Sequence, residues 1–296
     1  MHHGIATTAR GSGPPVLLVH GFAGFKESWG ALPDAIASSG RTAVAVDLPG
    51  WGESPAPRRA PHSAGWYATA LAPLLDDLGP AVVVGHSLGA QPAVQIAARR
   101  PDLVRGLLLV SPQVVRRAQA GWRPRVPSDW AALPVVGPLA IRLLVGVLAR
   151  DDARLVRGFT VTVADPDRWR NDPVALELLA DAARRFRATD ERVWSRALHR
   201  GLRTDLRRTA RKLRVPTTIV TGEQDRITKP RTADLLAAAS PGATIVRLPG
   251  VGHLPQLEAP NRIGEAIDDL ARHGVPPPAG ADGAGRAGRT RRPPER

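Results

Sequence analysis

The amino-acid sequence predicts an α/β protein: a mostly parallel, twisted sheet covered by helices on both faces, with a helical segment inserted between two strands. Three observations carry this. Short runs rich in Val, Ile and Leu alternate with segments of helical spacing, the pattern of strands buried on both faces and joined by crossover helices. The run AVVV at 81–84 passes straight into Gly-His-Ser-Leu-Gly and then into a helix-compatible segment, giving strand, sharp turn and helix. The alternation stops at Ser111-Pro112 and resumes at Val215-Pro216, with an Arg-rich stretch of helical pattern between them.

In chain order, residues 4–10 read as one short strand and Gly11-Ser-Gly-Pro-Pro as a turn. The run PVLLV at 15–19 is a buried strand ending in His20-Gly21-Phe22, and Trp29, Leu32, Ile36 and Ala37 mark the helical face after it. Residues 41–46 form the next strand, which ends in the loop DLPGWGES at 47–54, and residues 55–62 look like surface linker. A helix is expected over 63–78 with Trp66, Ala70, Leu71, Leu74 and Leu75 on its inner face and Gly79-Pro80 as its stop. After the turn at Ser87 a helix runs to Arg100-Pro101, and 103–110 is another strand. Within the insertion, 135–149 reads as a cap helix or hairpin, and 174–186 and 191–206 are the clearest amphipathic helices. Strands at 217–222 and 244–248, with helices over 231–239 and 262–272, complete the pattern. The expected domains are a first core part at 1–112, a helical cap at 113–212, a second core part at 213–275 and a disordered basic tail at 276–296.

With 296 residues, 43% of them hydrophobic and 23% charged, the chain can bury a full core. It has no cysteine, which excludes disulfides and thiolate metal sites, and its eight histidines show no H-x-x-x-H or H-E-x-x-H spacing. No metal site is expected. The N-terminal MHHGIATTARGSGPP lacks the apolar core of a secretory signal, and there is no run of about 18 apolar residues, so the expected location is cytoplasmic without stable membrane insertion. The net charge of +14 is uneven: residues 113–214 hold 22 Lys+Arg against 11 Asp+Glu, residues 279–296 hold 5 against 2, and the remainder is balanced. Such an insertion can attract anionic substrates, acidic surfaces or an acidic partner, but without aromatic interleaving or a binding motif no nucleic acid is expected.

A serine at the apex of a strand-turn-helix is held out of the backbone at the top of the sheet, and the tightness of the turn calls for Gly85 and Gly89 on either side of Ser87. The following helix aims its N-terminal amides at the same point. Four strand ends carry further candidates, His20-Gly-Phe22, Ser87, Asp225 and His253, and a parallel sheet brings all of them to one edge.

Through VLLVHGF, DLPGWGES, VVGHSLGA, TGEQDRIT and GVGHLPQLE, in this order, the chain resembles the α/β-hydrolase fold superfamily, specifically its cofactor-free, capped members. The resemblance covers roughly residues 13–112 and 213–272; the cap matches no motif. It implies an eight-stranded sheet, of which the first strand is expected to be missing or very short, and it implies no cofactor. Carried over residue by residue, it implies Ser87 as nucleophile, His253 as general base and Asp225 as the acid that fixes the imidazole tautomer. The backbone N–H groups of Phe22 and Leu88 would form the oxyanion hole. Ser111, not an acid, follows the strand ending at Val110, which favours Asp225, and a serine at 87 disfavours the carboxylate chemistry of epoxide hydrolases and haloalkane dehalogenases.

The function so implied is cleavage of a small-molecule acyl substrate: an ester, thioester, lactone, amide or C–C ketone. The alternatives are an acyltransferase on the same residues and a non-catalytic protein that binds a ligand or an anionic partner. Trp29, Trp51 and His86 are the candidates for substrate contact, His20 and Asp47 are expected to support loops, and His62, His199 and His273 read as solvated. Substrate identity and oligomeric state stay open.

Overall fold

The computed structural model describes residues 1–115 and 137–273. Its strands are β1 (Thr7–Arg10), β2 (Pro15–Val19), β3 (Thr42–Val46), β4 (Ala81–His86), β5 (Val104–Val110), β6 (Thr217–Gly222) and β7 (Thr244–Leu248). They form one seven-stranded sheet in the order β1-β3-β2-β4-β5-β6-β7, in which β1 is antiparallel to β3 and every other pair is parallel. Among the described residues the sheet thus has one strand fewer than the resemblance implies, and β1 is its antiparallel edge. The tail expected at 276–296 lies outside the described residues.

The helices before the insertion are α1 (Leu32–Ser38), α2 (Ala64–Leu78) and α3 (Ala90–Arg99). Between β5 and β6 come α4 (Gly137–Leu148), α5 (Asp152–Thr160), α6 (Pro166–Arg170), α7 (Pro173–Ala188), α8 (Glu191–Arg203) and α9 (Arg207–Ala210). After β6 follow α10 (Pro230–Ala237), α11 (Pro255–Glu258) and α12 (Pro260–His273). Because strand side chains alternate, one run serves two layers. Leu17 and Val19 of β2 join a cluster with Leu71 and Leu74 of α2 and Val94 of α3. Val16 and Leu18 join Leu32 and Ile36 of α1 and Ile263 and Ile267 of α12 on the other face.

The inner face of α2 differs from the expected one. Tyr67 and Ala68 are buried with Leu71, Leu74 and Leu75, whereas Trp66 and Ala70 are only half-buried. Tyr67 can go inward because its hydroxyl is satisfied there: it accepts from Trp51 Nε1 at 3.1 Å and lies 3.0 Å from His62 Nδ1. His62 is correspondingly buried, 3% exposed, and not solvated. Burial, then the charge of Arg196, pushes its pKa down to about 4, so the ring is neutral.

Within the insertion α4 packs on α8, and α5 and α6 pack on α7, while α9 rests on α3 and α10. Four of its helices open on an aspartate whose side chain accepts from first-turn amides: Asp151, Asp165, Asp172 and Asp190. Each such cap contributes about 1 kcal/mol and fixes where the chain turns.

Candidate active site

The site begins at the C-terminal end of β4. Ser87 has φ 49°, in the left-handed region that costs a non-glycine residue about 1 to 3 kcal/mol, and it starts a single 3-10 turn that runs into α3. The turn leaves no room for side chains beside it. A Cβ on Gly85 would lie 2.7 Å from Gly89 O, and one on Gly89 would lie 2.3 Å from both Val19 O and His20 O. The backbone of Gly21 also lies against the serine, since a Cβ there would meet Ser87 Cβ at 3.0 Å. Phe22 follows Gly21 on the turn after β2 and Leu88 follows Ser87 on the 3-10 turn, and Phe22 lines the same cavity as Ser87.

The loops after β6 and β7 bring two more groups to this point. His253 Nε2 is 3.0 Å from Ser87 Oγ, and His253 Nδ1 is 2.9 Å from Asp225 Oδ2. A proton on Nδ1 donated to the carboxylate leaves Nε2 free to accept from the serine hydroxyl. Asp225 is 4% exposed, and its Oδ1 accepts from Ile227 N and Thr228 N, each at 2.8 Å. Burial works against its charge, but His253 and the hydrogen bonds from His253 and Thr228 outweigh it and hold the carboxyl below the usual range.

Thr228 does not stand out in the sequence. Its Oγ1 lies 2.7 Å from Asp225 Oδ2, 3.0 Å from Ser111 O and 3.3 Å from His253 Nδ1, so it ties the acid to the end of β5. The available signal was Asp-x-x-Thr directly after a strand, a local side-chain-to-backbone turn.

The backbone of His253 is fixed at both polar atoms. Its N–H donates to Thr162 O of the insertion at 2.8 Å, and its carbonyl accepts from His86 Nε2 at 2.9 Å. His86 is neutral, its pKa pushed down to about 3 by burial and then by the neighbouring His253. On the opposite side, Leu48 N donates to His20 Nε2 at 2.9 Å and His20 Nδ1 donates to Gly21 O at 2.7 Å, which pins the turn after β2 to the loop after β3. Asp47 anchors that loop by accepting from Lys26 N at 2.8 Å and Glu53 N at 2.9 Å.

Over Ser87 lies a cavity of about 270 Å³. Its walls include Phe22, Trp29 and Leu257 from the core and Phe159, Leu179 and Leu198 from the insertion. Among the described residues lining it there is no Arg, Lys, Asp or Glu. Trp29 and His86 stand in this lining, and the Nε2 edge of His86 is engaged by His253 O. Trp51 corrects the expectation. It is 0% exposed, lies behind Phe22 and Phe186 at ring-centroid distances of 5.6 and 6.4 Å, and fills the space beneath the loop instead of facing the cavity.

A model of the alpha/beta hydrolase family matches residues 16–266. The chain belongs to the alpha/beta hydrolase family. This alpha/beta hydrolase is 31% identical over 273 residues to the pimeloyl-acyl-carrier-protein methyl ester esterase of Aromatoleum aromaticum, covering 88% of this chain and 98% of that protein. It is 27% identical to Lipase 3 of a Moraxella species, over 84% of this chain and 74% of that one. Among solved structures, a thermophilic esterase from Thermogutta terrifontis superposes with a TM-score of 0.72 at 26% identity, over 92% of this chain and 94% of that chain. An enol-lactonase from Burkholderia xenovorans, at TM-score 0.70 and 22% identity over 90% and 96% of the two chains, shares the fold. The alpha/beta hydrolase described here is thus an enzyme of a family whose similar members include esterases.

Proposed function

We propose that this enzyme cleaves a neutral carboxylic ester through a covalent acyl-Ser87 intermediate. The observation that carries this reading is the unbroken hydrogen-bonded line Ser87 Oγ, His253, Asp225 at 3.0 and 2.9 Å on the floor of an apolar cavity. A serine hydroxyl is a weak nucleophile at neutral pH. As Oγ attacks the ester carbonyl carbon, His253 Nε2 takes its proton, and Asp225 stabilises the resulting imidazolium. The carbonyl oxygen gathers negative charge, and in this reading the N–H groups of Phe22 and Leu88, with the N-terminal end of α3, stabilise it. The alcohol leaves with the proton from His253, and water, deprotonated by the same ring, releases the acid. The segment between β5 and β6 acts as a cap, because Phe159, Leu179 and Leu198 complete the wall over Ser87.

The absence of charged side chains from the described lining favours an uncharged acyl group, since an unpaired charge would be desolvated there without compensation. The ester of the Aromatoleum relative, a methyl ester, is of this neutral kind. A panel of p-nitrophenyl esters of increasing acyl length tests the reading. Medium-length neutral esters should turn over, and Ser87→Ala and His253→Ala should each remove most of the activity, with the double variant little worse than either. Asp225→Asn should cost about 10³ to 10⁴ in kcat. An Asp225→Asn enzyme that is folded and close to wild type in turnover removes Asp225 from the mechanism.

A further inference from the structure

Nothing in the proposed mechanism uses Glu258, at the end of α11, yet its carboxylate receives three backbone N–H groups. Oε2 accepts from Gly252 N at 2.9 Å and from Ala164 N at 2.8 Å, and Oε1 accepts from Leu254 N at 3.1 Å. Gly252 and Leu254 are the two neighbours of His253. Ala164 belongs to the insertion, two residues from Thr162, whose carbonyl accepts the N–H of His253 itself at 2.8 Å. The two segments touch without a gap: a Cβ on Gly252 would lie 2.6 Å from both Thr162 O and Ala164 N, and Val163 between them is 0% exposed.

We propose that Glu258 is a positioning residue for His253, clasping the histidine loop and residues 162–164 of the insertion into one body, so that the base and one wall of the cavity hold a common position. This rests on the reading of His253 as general base.

The physical case is one of alternatives. Charge-assisted hydrogen bonds to backbone N–H groups are the stronger kind, and three on one carboxylate leave it a single favourable placement. With Gly252 N and Leu254 N both held by Glu258, the loop is fixed on either side of the histidine, while His86 and Thr162 fix the histidine's own backbone. The His253 ring must meet Ser87 and Asp225 at once, and a displacement of about 1 Å in such a group can cost about 100-fold in rate. The insertion also supplies cavity lining from the same stretch, Phe159 and Thr162. A movement of that wall away from the core therefore draws on the bonds that hold the base.

Glu258→Gln in the full chain is the test. Whichever way the amide turns, its NH₂ group faces at least one of the three N–H donors. The expected enzyme is folded, with kcat lower by about 10- to 100-fold and KM within about threefold of wild type. Labelling of Ser87 by a fluorophosphonate should slow by the same factor. Glu258→Asp, which keeps the charge but withdraws the oxygens by one methylene, should fall between the two. A purely structural residue gives the opposite split, a lower melting temperature with kcat and KM of the folded enzyme unchanged, and that result overturns the proposal. Hydrogen exchange in the wild-type enzyme decides the matter even if the variants fail to fold. The amides of Ala164, Gly252 and Leu254 should share one opening free energy, and an Ala164 amide that exchanges about 100-fold faster than Gly252 shows that the insertion moves independently. If Ser87→Ala remains active, the reading of the site fails and the proposal with it; if Ser87→Ala is inactive while Glu258→Gln matches wild type, the proposal alone fails.

Discussion

His20, His62 and His86 are buried, and burial drives each pKa below its ordinary value, to about 4 for His62 and about 3 for His86. All three are neutral supports: His20 for the turn after β2, His86 for the carbonyl of His253, and His62 for Tyr67 under α2. The sign of the resulting pH dependence follows from linkage. The unfolded chain takes up protons at the ordinary histidine value of about 6.5, whereas folded His62 does so only near 4, so stability present above pH 6.5 is lost as the pH falls toward 4. One such group contributes a slope of up to about 1.4 kcal/mol per pH unit in that window. Urea unfolding at pH 5 and pH 7 should show His62→Gln losing less stability on acidification than wild type, by about 1 to 2 kcal/mol. Equal losses in the two proteins would mean that His62 is protonated or exposed in the folded state.

At the scale of elements, glycines in the turn and in the helices carry opposite expectations. Gly89→Ala places a methyl group 2.3 Å from two backbone carbonyls, so the turn at Ser87 must open; the variant should lose several kcal/mol of stability and nearly all activity. Gly264, inside α12, has nothing within 4 Å of a Cβ, and Gly264→Ala should raise stability by about 0.5 to 1 kcal/mol without touching turnover. Thermal melts of both variants, with esterase assays, check the pair. The turn at Ser87 and the strand ends are legible in the sequence because their constraints are local: small residues bracket Ser87, and each candidate follows an apolar run. The inner face of α2 was not legible, because Tyr67 is drawn inward by Trp51 and His62, residues of loops that spacing along the helix cannot reveal. The side that Trp51 faces is hidden from the sequence for a related reason, since a large aromatic near a strand end can line a cavity or fill the space below it, and only the positions of Phe22 and Phe186 decide. Glu258 acts on backbone N–H groups, contacts that leave little trace in sequence patterns, and Thr228 meets Ser111 O and His253 Nδ1 only because the fold brings distant segments together.

For the whole molecule, the excess positive charge and the cavity point in different directions. Many arginines of the insertion are paired at its surface, among them Arg154 with Asp151, Arg170 with Asp167, Arg187 with Asp152 and Arg207 with Asp205. The cavity beneath has an uncharged described lining. A neutral ester should therefore exceed an equally large ester with a terminal carboxylate by more than about tenfold in kcat/KM. That preference should persist to about 0.5 M salt, where a Debye length well below the roughly 10 Å of 0.1 M has removed long-range attraction. A carboxylate ester favoured at low salt, and losing its advantage as salt rises, would instead show that the basic insertion steers substrates. The covalent role proposed for Ser87 is tested most directly by intact mass after treatment with a fluorophosphonate. One adduct per chain, located on Ser87 and absent from both Ser87→Ala and the acid-unfolded protein, is the expected result; a folded wild-type enzyme that hydrolyses esters yet carries no adduct on Ser87 would contradict it.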